Sequence, residues 1–367
     1  MKANPLFVCF YALACAPVFA QGPAGYRIPY GEPYSIIVAP DARSAGLGDA
    51  GVALSPDANA TFWNPSKLAM ADQDFGVSAS YTPWLRNLVD GMWLGYATAY
   101  KKLGPKQAIG ASVKYYDTES FYATGNSDNA YDLAFSGVYS RQLGQNFSMG
   151  LTLKYITSKI GTGIVNGAPL KTGYTAAADI SAFYRKQIKS DRAGEDFNWS
   201  LGAILSNLGG KIDYGSGGEY FLPTALKIGG GVSYTATGKH RLNVVADLSK
   251  LAVPTPNNIQ NPNSQPYFKG VWASFSDAPG GFKEEVQEIA LSMGAEYWYK
   301  NKVALRGGYY GENNNKGARK FFTAGAGVKL LNKYTADISY LIPVNSDNPI
   351  SKTFRVSVGA YFGGKKG

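Results

Sequence analysis

The groups with which this chain could do covalent or nucleotide chemistry are few. His240 is its one histidine and stands beside a short turn. A Ser-His-Asp arrangement would need a nucleophile elbow, G-x-S-x-G, and the sequence has none. Cys9 and Cys15 are its two cysteines, and both fall in an apolar run near the N-terminus. Once that run is removed, disulfides, thiol catalysis and Cys-ligated zinc go with it. Gly46-Leu47-Gly48-Asp49-Ala50-Gly51 matches G-x-G-x-x-G letter for letter, with Asp72 further on. Dinucleotide binding needs that motif between a strand and a helix of a βαβ unit, and no such unit follows. The glycines read instead as points of close backbone packing. Asp247 and Glu296 read as interior salt-bridge partners rather than an acid/base pair. No cofactor, no metal and no catalytic residue is expected, and the chain is not read as an enzyme.

The elements that carry these groups follow from composition and periodicity. Lys2 and the apolar run Leu6–Ala16 have the form of an export signal, with Val18-Phe19-Ala20 setting cleavage before Gln21. Aromatic residues make up 14% of the chain, glycines number 44, and charged residues reach only 17%, against about a quarter in soluble domains. The remaining chain has no apolar run long enough for a membrane helix. This combination fits a transmembrane β-barrel with an apolar outer band, aromatic rims and a polar or small-residue interior.

From Phe75 onward apolar and polar residues alternate with period two. Phe147, Met149, Leu151, Leu153 and Tyr155 fall on one face, and Ser148, Gly150, Thr152 and Lys154 on the other. The pattern predicts fourteen strands at 75–81, 91–101, 107–116, 130–141, 145–158, 173–186, 197–208, 222–236, 239–252, 287–300, 302–312, 321–331, 333–342 and 352–363. Short connections alternate with long ones, as periplasmic turns alternate with outside loops. Both termini are thereby expected on the periplasmic side of the outer membrane. The connection 187–196 departs from this, being long on the short side. Residues 21–74 carry turn and helix-start signals, among them Asn64-Pro65-Ser66, and read as an extension that plugs the lumen. The predicted organisation is a signal peptide 1–20, an extension and plug 21–74, and a barrel 75–367. Plug packing is assigned to Gly46, Gly48, Asp49, Gly51, Asn64 and Pro65.

Alternation turns ten charged residues inward: Lys114, Asp132, Lys154, Asp179, Asp247, Glu296, Arg306, Lys329, Asp337 and Arg355. The signs balance, which predicts a paired interior network rather than an ion-selective pore. The net charge of +10 is spread over strands and turns. It predicts attraction to anionic outer-membrane lipid rather than nucleic acid. Aromatics at strand ends (Tyr81, Trp84, Trp93, Tyr100, Tyr115, Tyr116, Tyr184, Trp298 and Tyr299) read as rim anchors. Exposed apolar groups in outside loops often mark partner sites. The candidates are Trp84 and Leu85 in 82–90, and Tyr267, Phe268, Trp272, Phe275 and Phe282 in and beside 253–286.

Residues 41–70, with Ala-Gly-Leu-Gly-Asp-Ala-Gly-Val-Ala, Ser-Pro-Asp-Ala-Asn-Ala and Trp-Asn-Pro-Ser-Lys, resemble the N-terminal region of the PorV (LptO) family of the Bacteroidetes type IX secretion system. So does the run 75–100 with Gly-Val-Ser-Ala-Ser-Tyr-Thr-Pro-Trp-Leu-Arg-Asn-Leu-Val-Asp. Asn64-Pro65 is also similar to the Asn-Pro-Ala element of FadL fatty-acid transporters, with Ser66 in place of Ala. The resemblance implies a fourteen-stranded FadL-like barrel with an N-terminal plug and a non-enzymatic role. Its implied partners are the C-terminal signal domain of translocated cargo, the type IX translocon and a PorU-type sortase attachment complex. A FadL-like carrier of hydrophobic small molecules is the competing expectation, and the related PorQ is a second possible role within the secretion system.

Overall fold

The computed structural model describes residues 27–85, 91–118, 130–165, 167–190, 192–215, 217–257, 261–345, 350 and 353–364. The expected signal peptide and its cleavage point, the turn at 22–25 and the 86–90 part of the first loop lie outside the described residues.

Among the described residues, fourteen antiparallel strands close into one barrel. They are β1 (Phe75–Pro83), β2 (Trp93–Gly104), β3 (Gln107–Asp117), β4 (Tyr131–Gln142), β5 (Phe147–Lys159), β6 (Gly173–Lys189) and β7 (Asp196–Gly209). The chain continues through β8 (Ala225–Ala236), β9 (His240–Leu251), β10 (Ala290–Tyr299), β11 (Val303–Gly311), β12 (Lys320–Leu330), β13 (Tyr334–Pro343) and β14 (Phe354–Phe362). Each strand pairs with its sequence neighbours, and β1 pairs with β14 from Phe75↔Phe362 to Tyr81↔Val356, so no edge is left free. Alternation decides which side faces out. Met149, Leu151, Leu153 and Tyr155 are exposed to the membrane side, while Ser148 and Thr152 are fully buried inside. No helix among the described residues is long and apolar enough to cross a membrane.

The tightest connections show why the strands stop where they do. Thr237-Gly238, Lys300-Asn301 and Leu331-Asn332 all have consecutive positive φ values, the geometry of the hairpin turns whose twist matches the flanking strands. β6 runs on to Lys189 and β7 begins at Asp196, so the anomalously long connection of the sequence reading shrinks to 190–195. β10 starts at Ala290 rather than 287, because Phe282–Gln287 is helical. The long-loop end also carries two two-stranded hairpins and a helix at Tyr267–Ala273 that period-two reading did not foresee.

The N-terminal segment fills the barrel as short turns of helix at Tyr34–Ile37, Ala42–Ala45, Ala60–Trp63 and Pro65–Met70. Asp41 caps the second by accepting the Ser44 amide, and Pro65 stands at the first position of the last. Inward glycines of the wall let this segment approach. A Cβ on Gly150 would fall 2.6 Å from the Ser66 amide nitrogen, and one on Gly308 still nearer the plug backbone.

The plug runs the whole length of the lumen. At the long-loop end the Arg27 carbonyl accepts from Lys316 Nζ at 2.6 Å, and the Arg27 guanidinium lies 3.4 Å from Glu284. At the short-turn end Tyr100 donates to the Gln73 carbonyl, and the Gly364 amide donates to Asp74. Both ends of the chain were expected at the short-turn side. Gly364 lies at the short-turn mouth and Arg27 at the long-loop mouth, where the plug enters the lumen; the termini themselves lie outside the described residues.

Candidate functional site

The inward charges form two tiers, and the plug completes both. In the tier nearer the short turns, Glu296 of β10 is fully buried. It accepts from Arg43 of the plug at 2.9 and 3.1 Å, from Arg306 of β11 at 2.7 Å and from Asn243 of β9 at 2.8 Å. Arg306 also lies 2.7 Å from Asp337, and Arg43 reaches Asp57 at 2.8 Å. A buried carboxylate shared by two guanidiniums satisfies its lone pairs and offsets its desolvation. Lys329 stands apart, half-buried, with Arg241, Arg43 and Asp72 as its charged neighbours.

In the tier nearer the long loops, Lys154 pairs with Asp179 at 2.8 Å, and Asp179 also accepts the Asn207 amide where the β6–β7 ladder shifts register. Lys114 donates to the Ile36 and Val38 carbonyls of the plug, and Asp132 accepts from Ser158. Arg355 lies 3.9 Å from Asp49 of the plug. Between the tiers, Asp247 accepts the Gly51 and Val52 amides at 2.7 and 2.9 Å.

The sequence reading paired wall with wall. In the structure Lys114, Asp247, Glu296 and Arg355 each bind or face the plug, and Asp132 bonds a serine. Arg43, Asp41, Asp57 and Lys67 of the plug, Lys227 of the wall and Arg319 of the loop before β12 were missed. Alternation could have turned Lys227 inward, two places before the inward Gly229, but the plug has no period to read.

The plug's own titrating groups are shaped by burial. Asp41, which accepts from the Ser44 amide and the Trp63 indole, is pushed up to about 6 by burial and by the nearby Asp57 charge. Lys67 donates to the Gly51 carbonyl, and burial draws it down to about 8. Burial and the Asp132 charge raise Glu32 to about 8. Gly46 and Gly51 pack against the Arg306 and Trp63 side chains, and Gly48 against the Tyr309 backbone. Asn64 donates from one amide nitrogen to the Val52 and Ala182 carbonyls, tying plug to wall, and Pro65 follows it, buried against Gly150.

Outside the lumen, the chain from 261 to 289 is braced rather than loose. Lys250 pairs with Glu285 and Glu288, and Lys316 with Glu284 and Glu288. Tyr267 stacks on Phe221, and its hydroxyl contacts the Gly209 amide, the Asn207 carbonyl and Thr224. Helix Tyr267–Ala273 therefore has an inner face, with Val271 and Gly270 buried, and an outer one. Phe268 and Trp272, four residues apart on that outer face, are 66% and 65% exposed, and Phe282, at the start of the next helix, is 84% exposed. Phe275 is 36% exposed.

Three of the loop candidates do not belong to that surface. Tyr267 is the loop's anchor. Trp84 and Leu85 turn inward and pack against Val38, Met92, Leu94, Tyr96 and Tyr116. Burying an indole in the mouth of the lumen removes more apolar area from water than leaving it on a loop tip. Tyr100, Tyr116 and Trp298 likewise point inward and are buried, not rim anchors. The rims are formed by others. Tyr81, Trp93, Tyr115 and Tyr131 make a continuous chain of ring contacts at the long-loop end, and Tyr184–Trp199 and Phe75–Phe362 pack at the other.

The family model described as "Type IX secretion system protein PorV" matches residues 26–258. No curated protein matches the chain. Among solved structures, the P. putida toluene transporter TodX is similar with a TM-score of 0.50 at 9% identity, over 89% of this chain and 99% of that one. A Pseudomonas aeruginosa FadL homologue aligns at 12% identity with a TM-score of 0.45, over 92% of this chain and 100% of that one. At such identity the TodX likeness speaks for the barrel fold and not for a shared ligand.

Proposed function

The chain belongs to the PorV family of type IX secretion system proteins, an outer-membrane barrel of that machinery, and from this we propose that it works without catalysis, as a carrier of secreted protein. In this reading it binds the C-terminal signal domain of cargo that has crossed through the type IX translocon and delivers it to a PorU-type sortase attachment complex. The observation that carries the reading is the apolar face of Phe268, Trp272 and Phe282 on a loop fixed by ion pairs and by Tyr267. Large apolar side chains held rigidly at the mouth of a barrel suit a protein partner, since little order is lost on docking. The plug's bonds to the wall along the lumen weigh against a carrier of hydrophobic small molecules.

In this orientation the short turns face the periplasm and a cleaved signal peptide precedes the plug. The test is affinity purification from the native outer membrane with the parent and with Phe268→Ser/Trp272→Ser/Phe282→Ser. The triple variant should keep the barrel and lose most of the co-purified signal-domain cargo. Equal recovery of cargo by both, or fatty-acid uptake by the barrel in liposomes, would sink the proposal.

A further inference from the structure

The membrane face of the wall is not uniformly bulky. Over β1, β2 and β3, the outward residues between the two aromatic rims are small. Ala79, Ala97, Ala99 and Ala111, with Val77 and Val358, line a groove of about 750 Å³. The ladder sets them side by side. Val77 pairs with Ala99, Ala99 with Ala111, and Ala79 with both Ala97 and Val358. The floor therefore crosses β1 and β14, the pair that closes the barrel.

Larger groups bound this floor on every side. Phe135 lines one flank and Tyr334 the other. Beyond Phe135, its pairing partner Tyr155 stands out from β5. Toward the long loops the groove ends at the joined rings of Tyr81, Trp93 and Tyr115. Toward the short turns it ends at Phe75, stacked on Phe362.

One cation interrupts the short-turn margin. Lys101 lies two places after Ala99 on the same outward face and pairs with Phe75 and Ile109, both exposed apolar residues. Lys101 is itself exposed and has no hydrogen bond or ion pair among the described residues. Asp74, just before β1, accepts the Gly364 amide. Lys106, Arg141 and Lys333 are also exposed at this end. A charge on the lipid face is costly unless its stem carries it to the interface and an anion meets it there.

We propose that this groove binds an anionic phospholipid of the leaflet on the short-turn side, with an acyl chain along the alanine floor and the phosphate on Lys101. Chain and phosphate belong to one molecule, as groove and cation belong to one face. A neighbouring protein wall packed here would bury Lys101 and would have to supply an anion of its own at that point. A phospholipid brings the anion with the chain. The small side chains let that chain sit deeper than it can on the Leu153 and Tyr155 face of β5, with wall atoms beneath and beside it. The site requires a membrane barrel and is independent of how cargo is handled.

Native mass spectrometry of the full chain in neutral detergent tests this, with added phosphatidylglycerol or phosphatidylcholine of identical chains and folding followed by the heat-induced mobility shift. The parent should bind one phosphatidylglycerol saturably, about fivefold more tightly than phosphatidylcholine. Lys101→Gln should remove that preference, whereas Lys186→Gln, a cation of β6 away from the groove, should keep it. Ala97→Phe/Ala111→Phe fills the groove and should weaken both lipids by about tenfold or more. Glycerol 3-phosphate, which has the anion without the chain, should not compete. Lys101→Gln alters one exposed side chain and carries the test if the phenylalanine pair fails to fold. The proposal is overturned if the parent holds no lipid saturably or does not distinguish the two headgroups. It is equally overturned if Lys101→Gln folds and keeps the preference, if Lys186→Gln loses it as fully, if the filled groove folds and binds as the parent does, or if glycerol 3-phosphate displaces the lipid.

Discussion

Gly308 on the barrel wall faces Gly48 of the plug so closely that a Cβ on Gly308 would stand 2.2 Å from the Gly48 amide nitrogen. The contact is backbone against backbone, so neither side can rotate away. Gly308→Ala should therefore lower barrel stability by about 1–3 kcal/mol, the usual cost of overpacking. Gly137→Ala, whose Cβ would meet nothing within 4 Å, should be neutral. Urea unfolding in phospholipid vesicles compares the two, and equal stability would refute the close-packing role.

Glu296 holds two guanidiniums with no exposure to solvent. Removing its charge leaves Arg43 and Arg306 buried without their shared partner. Glu296→Gln should cost about 3–5 kcal/mol. Arg43→Met should cost less, because Arg306 still pairs with Glu296. Unfolding midpoints that rank the two variants the other way would show that the plug arginine, not the carboxylate, organises the tier.

Glu32 titrates in an observable window. Burial and the Asp132 charge raise its pKa from 4.5 to about 8 in the folded chain. The folded state thus holds the proton more tightly than the unfolded one, and its stabilisation is fully present below pH 4.5 and gone above about pH 8. The difference in unfolding midpoint between the parent and Glu32→Gln should change steadily across that window, in the variant's favour as pH rises. A difference independent of pH would mean that Glu32 is ionised in the folded barrel.

Tyr267 fastens the outer loop through one hydroxyl. Tyr267→Phe keeps the stacking on Phe221 and strands the Gly209 amide, at about 1–3 kcal/mol of local order. Limited proteolysis of the 261–289 region should accelerate by about tenfold or more while the wall stays intact. Unchanged cleavage would assign the bracing to the Lys250 and Lys316 ion pairs alone.

Much of the wall could be read from residue order, because period-two alternation reports directly which side of a barrel a residue faces. Met149 and Leu151 against Ser148 and Thr152 are enough to orient β5. The plug's partners could not be read that way. Arg43 and Lys67 lie in short helical turns among small residues, where no period marks a face; Arg43 reaches Glu296 of the distant wall, and Lys67 the Gly51 carbonyl of the plug itself. The loop aromatics failed for a different reason. Trp84 and Phe268 are both large apolar residues in connections, and only the space available beneath each decides that Trp84 turns inward and Phe268 outward. Tyr267 and Phe268 are adjacent in sequence yet have opposite roles, set by the roughly 100° between successive residues of a helix.

An even number of strands returns a chain to the side from which it set out. Here the segment inside the barrel adds a fifteenth traverse, and the parity becomes odd. Arg27 and Gly364 therefore stand at opposite mouths of the barrel. A peptide epitope placed beside each would be visible from different compartments, one to antibody on intact cells and the other only after the envelope is opened.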